Sequence, residues 1–399
     1  MLSGMSSTGP ADAVARAEEI LFSRPYRASR QVQNLLAVEA SDHMHGDGPF
    51  GASATRRLRE LTGTSVLLTS SGTHALEMTS LLLDLGPGDE VVLPSFTFPS
   101  AGLAVARTGA SCVFADCDPL TGNIDPESVA AAMGPRTRAI SVMHYGGVPV
   151  DLDAVGAIAR RWGVPVIEDN AHGLGVRLGD RVLGTVGALG IQSFHDTKNV
   201  QCGEGGALLV NDPELLARAE IIREKGTDRS RFLRGEVDKY SWVDTGSSYP
   251  PSELQAAVLD AQLEEFATIQ ERRHAVWSFY ARALADWARE HEAVLMRPEP
   301  VHAAHLFFLL MPDGRQRDAL LRHARARGVH ATSHYEPLHS SAAGRRFGRP
   351  AGELAGTLSF SSRLVRLPLW PDLSARQRER VVDAVLSFQP ALQREGAGA

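Results

Sequence analysis

Cysteine is scarce in this 399-residue chain. Cys112, Cys117 and Cys202 are too few and too scattered for a disulfide framework or a four-ligand zinc site. They read as reduced thiols and predict a cytoplasmic protein. No apolar run approaches the roughly 18 residues that a membrane span requires, and MLSGMSSTGPADAVARAEE lacks the basic and apolar regions of a signal peptide. Dense basic runs are also missing. Acidic residues outnumber basic ones 47 to 41, so charge suggests neither nucleic acid nor an anionic membrane as a partner. No internal repeat is visible. With 43% hydrophobic and 22% charged residues, the composition is that of an ordinary globular protein. A chain of this length usually divides into two domains.

Between residues 60 and 210 short β-branched runs alternate with helix-like segments. The runs are SVLLTS (65–70), DEVVLP (89–94), SCVFAD (111–116), RAISVMHY (138–145), VPVIED (164–169), GIQSFH (190–195) and GALLVN (206–211). Their continuous apolar character predicts strands covered on both faces, hence an α/β layered domain with a mostly parallel sheet. THALEMTSLLLDLG and DLDAVGAIARRWG carry apolar faces of helical period and are expected to end at glycine. Residues 252–290 read as a long helical passage. HLFFLLM, RDALLRHARARGV and RLPLWPDL then predict a smaller α+β unit. The expected division is a loose lead-in over 1–22, a large α/β domain over 23–265 and a small C-terminal α+β domain over 266–399.

Open parallel sheets gather ligands at the carboxyl ends of their strands, and three polar clusters fall there. Ser70-Ser71-Gly72-Thr73 opens a helix, where backbone N–H groups and the helix dipole favour an anion; a phosphate cradle and a plain N-cap turn both fit. Glu168-Asp169 ends a strand, and a carboxylate there can hold a protonated ring nitrogen, a metal, a ribose hydroxyl or simply the next helix. Gly173-Leu174-Gly175 fails the dinucleotide spacing, which makes a dehydrogenase remote. Ser193 to Asn199 places Lys198 in a short polar loop, where it is either a solvated lysine or a desolvated amine able to form a Schiff base. Taken together, a phosphate cradle, a carboxylate for a pyridinium nitrogen and a Schiff-base lysine are the three handles that pyridoxal 5'-phosphate needs.

SSGTHALEM, GDEVVLPSFTFPS, VIEDNAHG and SFHDTKNVQCGEGG, in this order, resemble the DegT/DnrJ/StrS group of sugar-nucleotide aminotransferases, from about Arg24 to Leu386. EIIREKGTDRSRFLRGEVDKYSWVDTGSSYPPSELQAA and SHYEPLHSS resemble its WecE/RffA branch. The resemblance implies fold type I of the pyridoxal phosphate enzymes, with an aspartate aminotransferase-like architecture. It implies amination of C4 of dTDP-4-keto-6-deoxyglucose with L-glutamate as donor. It also implies a homodimer with active sites at the subunit interface.

By position, the resemblance makes Lys198 the Schiff-base lysine and Asp169 the pyridinium partner. Phe98 becomes the aromatic that stacks on the ring, and Gly72, Thr73 and Ser193 become phosphate ligands. Ser248 stands where most members carry an asparagine that reaches the partner's cofactor phosphate, and His172 stands where most carry glutamine beside the phenolic oxygen. Relatives that dehydrate replace the lysine by histidine, so Lys198 favours transamination. On the sugar side, Arg24, Tyr26 and Gly46-Asp47-Gly48 resemble segments near the substrate. His334, Tyr335 and His339 resemble an H-Y-x-P-L-H segment, in which His339 is a candidate for the substrate or the donor carboxylate. Arg229, Arg231 and Arg234 are expected either to pair with a diphosphate or to form an exposed basic loop. His302 and His305 are three apart, but no third metal ligand accompanies them, so a non-metal role is expected. The competing readings are amination at C3 and a non-catalytic scaffold that keeps the cofactor site.

Overall fold

The computed structural model describes residues 19–297 and 301–389; the expected lead-in over 1–22 lies outside them apart from residues 19–22. All seven apolar runs form strands of one sheet. They are β1 (Ser65–Thr69), β2 (Glu90–Pro94), β3 (Ser111–Ala115), β4 (Thr137–Met143) and β5 (Val166–Asp169), then β8 (Leu189–Ser193) and β9 (Gly206–Val210). A small hairpin, β6 (Arg177–Leu178) and β7 (Arg181–Val182), lies between the last two pairs. The C-terminal third supplies β10 (Val294–Leu295), β11 (Phe307–Leu310), β12 (Gly348–Pro350) and β13 (Leu364–Leu367).

The main sheet has eight strands in the order β1-β9-β8-β5-β4-β2-β3-β12. The ladders from β8 through β12 are parallel, whereas β9 runs antiparallel to both of its neighbours, β8 and β1. The near-continuous burial of these strands explains their legibility: Val91, Val92, Leu93, Val113, Ile140, Val142, Leu208 and Leu209 are all fully buried. Helices on both faces remove the polar/apolar alternation that a one-sided sheet would show.

DLDAVGAIARRWG folds as expected. Asp151 accepts a hydrogen bond from Ala154 N–H at the start of helix Leu152–Trp162, and Gly163 closes it at φ 64°. The helix after β1, Gly72–Leu82, stops earlier than expected: Asp84, at φ 49°, takes the left-handed turn and Gly86 is not the cap. Asp is among the few residues that tolerate that region. The passage 252–290 breaks into three helices, Glu253–Glu264, Phe266–Ala283 and Ala285–Glu290. Ser252 and Gln255 form a capping box at its start.

β10, β11 and β13 form a second, antiparallel sheet. It does not keep to itself. β12, three residues containing Gly and Pro, pairs with the edge of the main sheet at β3. The largest apolar cluster also mixes Phe96, Met143 and Tyr145 from around the main sheet with Trp277, Tyr280, Phe307, Phe308, Phe360 and Val381. Among the described residues no helix is long and apolar enough to cross a membrane.

Candidate active site

Three segments converge at the carboxyl edge of the main sheet. The first is the turn from β1 into helix Gly72–Leu82. Ser71 caps it by accepting from His74 N–H at 3.1 Å, and the Thr73 and Ser100 hydroxyls share a hydrogen bond of 2.7 Å. The N–H groups of Gly72 and Thr73 belong to the first turn, where a helix offers no internal partner. Close packing fixes this turn. A Cβ on Gly72 would lie 2.9 Å from the Ser193 Cβ, and one on Gly206 would lie 2.3 Å from the Ser71 carbonyl carbon. Gly206→Ala is therefore expected to displace the turn and destabilise the fold by about 1–3 kcal/mol, read as a lowered melting midpoint together with weakened cofactor binding in an absorbance titration.

The second segment is the end of β5. Successive residues of a strand face opposite ways, and Glu168 and Asp169 part accordingly. Glu168 turns into a buried network with His144 Nε2 (2.9 Å) and the N–H groups of Gly184, Val186 and Gly187. Val150 N–H donates to His144 Nδ1, which leaves Nε2 to carry the proton toward Glu168. Asp169 instead lines the cavity and accepts from Ala171 N–H at 3.1 Å. Burial raises its carboxyl above the usual range, against the opposing pull of that N–H and of Lys198. A carboxylate in this state gains most from a cation brought to it.

The third segment is the loop joining β8 to β9. Phe194 N–H to Gly205 O, Asp196 N–H to Gly203 O and Lys198 N–H to His195 O tie it into a compact loop. Phe194 and Val200 are buried beneath it. Asn199 is held by Gln270 Oε1 and by the Ala303 carbonyl, both at 2.8 Å. Lys198 thus projects from a fixed backbone into the cavity. Burial lowers its pKa to about 8, with Arg366 adding to the effect and Asp169 resisting it.

The cavity has a volume of about 610 Å³. Of the residues singled out in the sequence, it brings together Gly72, Thr73, Phe98, Asp169, His172, Ser193, Lys198, His334 and Tyr335. Phe98 is 52% exposed, an aromatic face open to the cavity. His172 accepts from Gly146 N–H at Nδ1 (3.2 Å), so its proton resides on Nε2. Burial, with Lys198 and the neighbouring histidines, holds His172 well below its ordinary pKa and therefore neutral.

Seven of the candidates lie elsewhere in the protomer. Arg24 is exposed and sits over the Trp370 ring, while its neighbours Phe22 and Ser23 line the cavity. Tyr26 is buried against helix Glu253–Glu264: its hydroxyl donates to Glu265 at 2.5 Å and its carbonyl accepts from Gln201 and Gln262. Arg229 faces Glu224 (3.6 Å) and Arg231 faces Glu236 (3.4 Å), as Arg234 also does. These pairs leave the loop exposed and away from the cavity. Ser248 is exposed and bridges to Glu224. His339 Nδ1 lies 2.6 Å from the Ser95 hydroxyl, outside the cavity lining.

Arg366 and His305 are two polar lining residues that carried no site expectation. Arg366 lies on β13, whose sequence LVRL carries no site signal of its own. His305, taken in the sequence only with His302, stacks on His172 at 4.0 Å and pairs with Asn199 Oδ1. His302 is buried beside Trp277 instead. Among the described residues no group of three or more His, Cys, Asp or Glu converges as metal ligands.

This donor set matches the handles of pyridoxal phosphate: first-turn N–H groups and hydroxyls for a phosphate, a buried carboxylate, an open aromatic face, and an amine of lowered pKa. The model of the DegT/DnrJ/EryC1/StrS aminotransferase family matches residues 25–386. Among solved structures, the chain is similar to the aminotransferase TlmJ from Streptoalloteichus hindustanus, at 32% identity and TM-score 0.85, covering 92% of this chain and 98% of that one. It is similar to S. venezuelae DesV at 32% identity and TM-score 0.80, covering 90% and 94%. A 3-amino-5-hydroxybenzoic acid synthase matches at 26% identity and TM-score 0.82, covering 91% and 97%. The chain therefore belongs to the DegT/DnrJ/EryC1/StrS aminotransferase family, and it is an aminotransferase that works with pyridoxal phosphate.

Proposed function

We propose that the enzyme transfers an amino group from L-glutamate to C4 of dTDP-4-keto-6-deoxy-D-glucose, giving dTDP-4-amino-4,6-dideoxyhexose and 2-oxoglutarate. The observation that carries the transfer chemistry is the meeting of Lys198, Asp169 and the Gly72-Thr73 turn in one cavity. The branch-like segments at 220–257 and 333–341 support the choice of acceptor.

Bound pyridoxal phosphate supplies an electron sink for the pair released when a Cα proton leaves. This chain's residues do the rest. Asp169 keeps the ring nitrogen protonated, and Gly72, Thr73 and Ser193 hold the phosphate. Phe98 would pack against the ring, and the Nε2–H of His172 would be free to donate to its phenolic oxygen. Lys198, once freed, moves the proton as general base and then general acid; an amine of pKa about 8 suits both tasks near neutrality.

That value gives a pH prediction. The neutral amine is the form that attacks an aldehyde, and burial brings its pKa down from the ordinary 10.5 to about 8. The rate of pyridoxal phosphate capture by the apoenzyme is expected to rise with pH and level off above about pH 8, as read by stopped-flow absorbance. A rise continuing to pH 10 would contradict it.

We also assign a cytoplasmic homodimer, with Ser248 reaching the partner's phosphate. Leu233, Trp242 and Val243 are exposed in the protomer and are available for such a surface. Light scattering tests the dimer. For the reaction, holoenzyme is incubated with L-glutamate and dTDP-4-keto-6-deoxyglucose, and the product is read by mass spectrometry and NMR. An aminated hexose at C4 is the expected result. Glutamate turnover without that product, but with amination of a 3-keto sugar, would replace C4 by C3.

A further inference from the structure

Arg366 is a cation built into the cavity without an anion to match it. Its strand holds it firmly: Leu364, Val365 and Leu367 are buried, and the Arg366 backbone exchanges two hydrogen bonds with Thr332. The guanidinium packs over the Phe22 ring at 4.5 Å and gives one hydrogen bond, from Nη2 to the Ser333 carbonyl at 2.9 Å. Its Nε is buried and lacks a hydrogen-bond partner. No acidic side chain forms an ion pair with it among the described residues. The two carboxylates of the lining are otherwise engaged: Asp169 with Ala171 N–H and the charge of Lys198, and exposed Glu204 near His195.

A desolvated guanidinium without a counter-ion is costly, and an arriving carboxylate relieves that cost with paired, charge-assisted hydrogen bonds. We propose that Arg366 binds the α-carboxylate of the amino donor, holding Cα within reach of Lys198. This rests on the aminotransferase reading and assigns the donor's anchoring residue, which the sequence had offered to His339.

Three observations select that anion. The cofactor phosphate has its own cradle on the main sheet, whereas Arg366 comes from the small antiparallel sheet. Arg366 also lies close enough to Lys198 for its charge to lower that amine's pKa. An α-carboxylate is one bond from the reacting carbon, whereas a sugar diphosphate is separated from C4 by the pyranose ring. Finally, burial keeps His172, His305 and His334 neutral, so they do not compete for the anion.

The test is the donor half-reaction of the holoenzyme, followed by the change in cofactor absorbance. L-glutamate is compared with L-isoglutamine, whose α-carboxylate is an uncharged amide. Wild type is expected to respond to glutamate and hardly to isoglutamine. Arg366→Gln is expected to raise the half-saturating glutamate concentration roughly 10- to 150-fold and to erase most of the difference between the two donors. Arg366→Lys, which keeps charge but loses the planar fork, falls between. Binding of dTDP, measured by calorimetry, should not change in either variant.

Unaltered glutamate dependence in Arg366→Gln, or an equal loss of dTDP binding, would overturn the assignment. Equal wild-type responses to both donors would do so without any variant, should Arg366→Gln fail to fold. If wild type responds to no amino acid at all, the aminotransferase reading itself fails. A response indifferent to Arg366 removes only this inference.

Discussion

Lys198→Ala is expected to lower turnover by about 10⁴-fold or more while the protein remains folded. The size follows from what the side chain does and what it does not hold up. It is the amine in the cavity with a pKa near neutrality, and no neighbour can replace it: His172, His305 and His334 are already committed to Gly146 N–H, Asn199 and Tyr145 respectively. The loop around it is secured by backbone hydrogen bonds and by Asn199, none of which uses the Lys198 amine. Steady-state turnover with glutamate, together with a circular dichroism melt, separates chemistry from folding. A variant with a normal melt and more than a few per cent of wild-type turnover would exclude Lys198 from proton transfer.

Glu168→Ala is expected to have the opposite profile, with stability falling by about 3–5 kcal/mol. Glu168 and His144 are both fully buried, and the carboxylate gathers the Gly184, Val186 and Gly187 N–H groups as well. Removing it strands those donors and the His144 Nε2–H in the interior. The same geometry fixes a pH dependence. Burial pushes the Glu168 carboxyl up, but His144 and the loop N–H groups outweigh it and bring it below the ordinary 4.5. A depressed carboxyl contributes stability that is complete above that value and is lost as pH falls further. Chemical denaturation from pH 7 to pH 3 should show the wild type losing more stability than Glu168→Ala below about pH 4.5. Parallel losses would refute the account.

These two neighbours mark how far the sequence could be read. Strand period alone separates Glu168 from Asp169 once one of them is known to face the ligand, but nothing in VIED says which. The seven strands were legible because each is buried on both faces. The antiparallel course of β9 was not, since apolar runs carry no direction, and a Gly-Arg-Pro strand such as β12 has no apolar signature. Lys198, Asp169 and the Ser71-Gly72-Thr73 turn stood out because they fall at the carboxyl ends of buried strands, where an open parallel sheet gathers ligands. Arg366 was hidden for the converse reason: a basic residue in LVRL looks like the solvent face of an edge strand until the small sheet is laid against the cavity. Arg24 and Tyr26 came from the resemblance to a substrate-side segment, whereas in the protomer it is their neighbours Phe22 and Ser23 that line the cavity.

The pairing of β12 with β3 has a mechanical consequence. Two-layered enzymes often trap substrates by swinging one lobe over the other on a hinge. Here Gly348–Pro350 is stitched into the main sheet, and Phe96 and Tyr145 share one apolar cluster with Phe308 and Phe360. A swing would have to tear that ladder and wet that cluster. Shape changes around a ligand are thereby confined to the short segments that line the cavity, among them Phe22-Ser23 and His334-Tyr335. Tyr335, held at φ 27°, is a residue whose backbone would relax if its segment lifted.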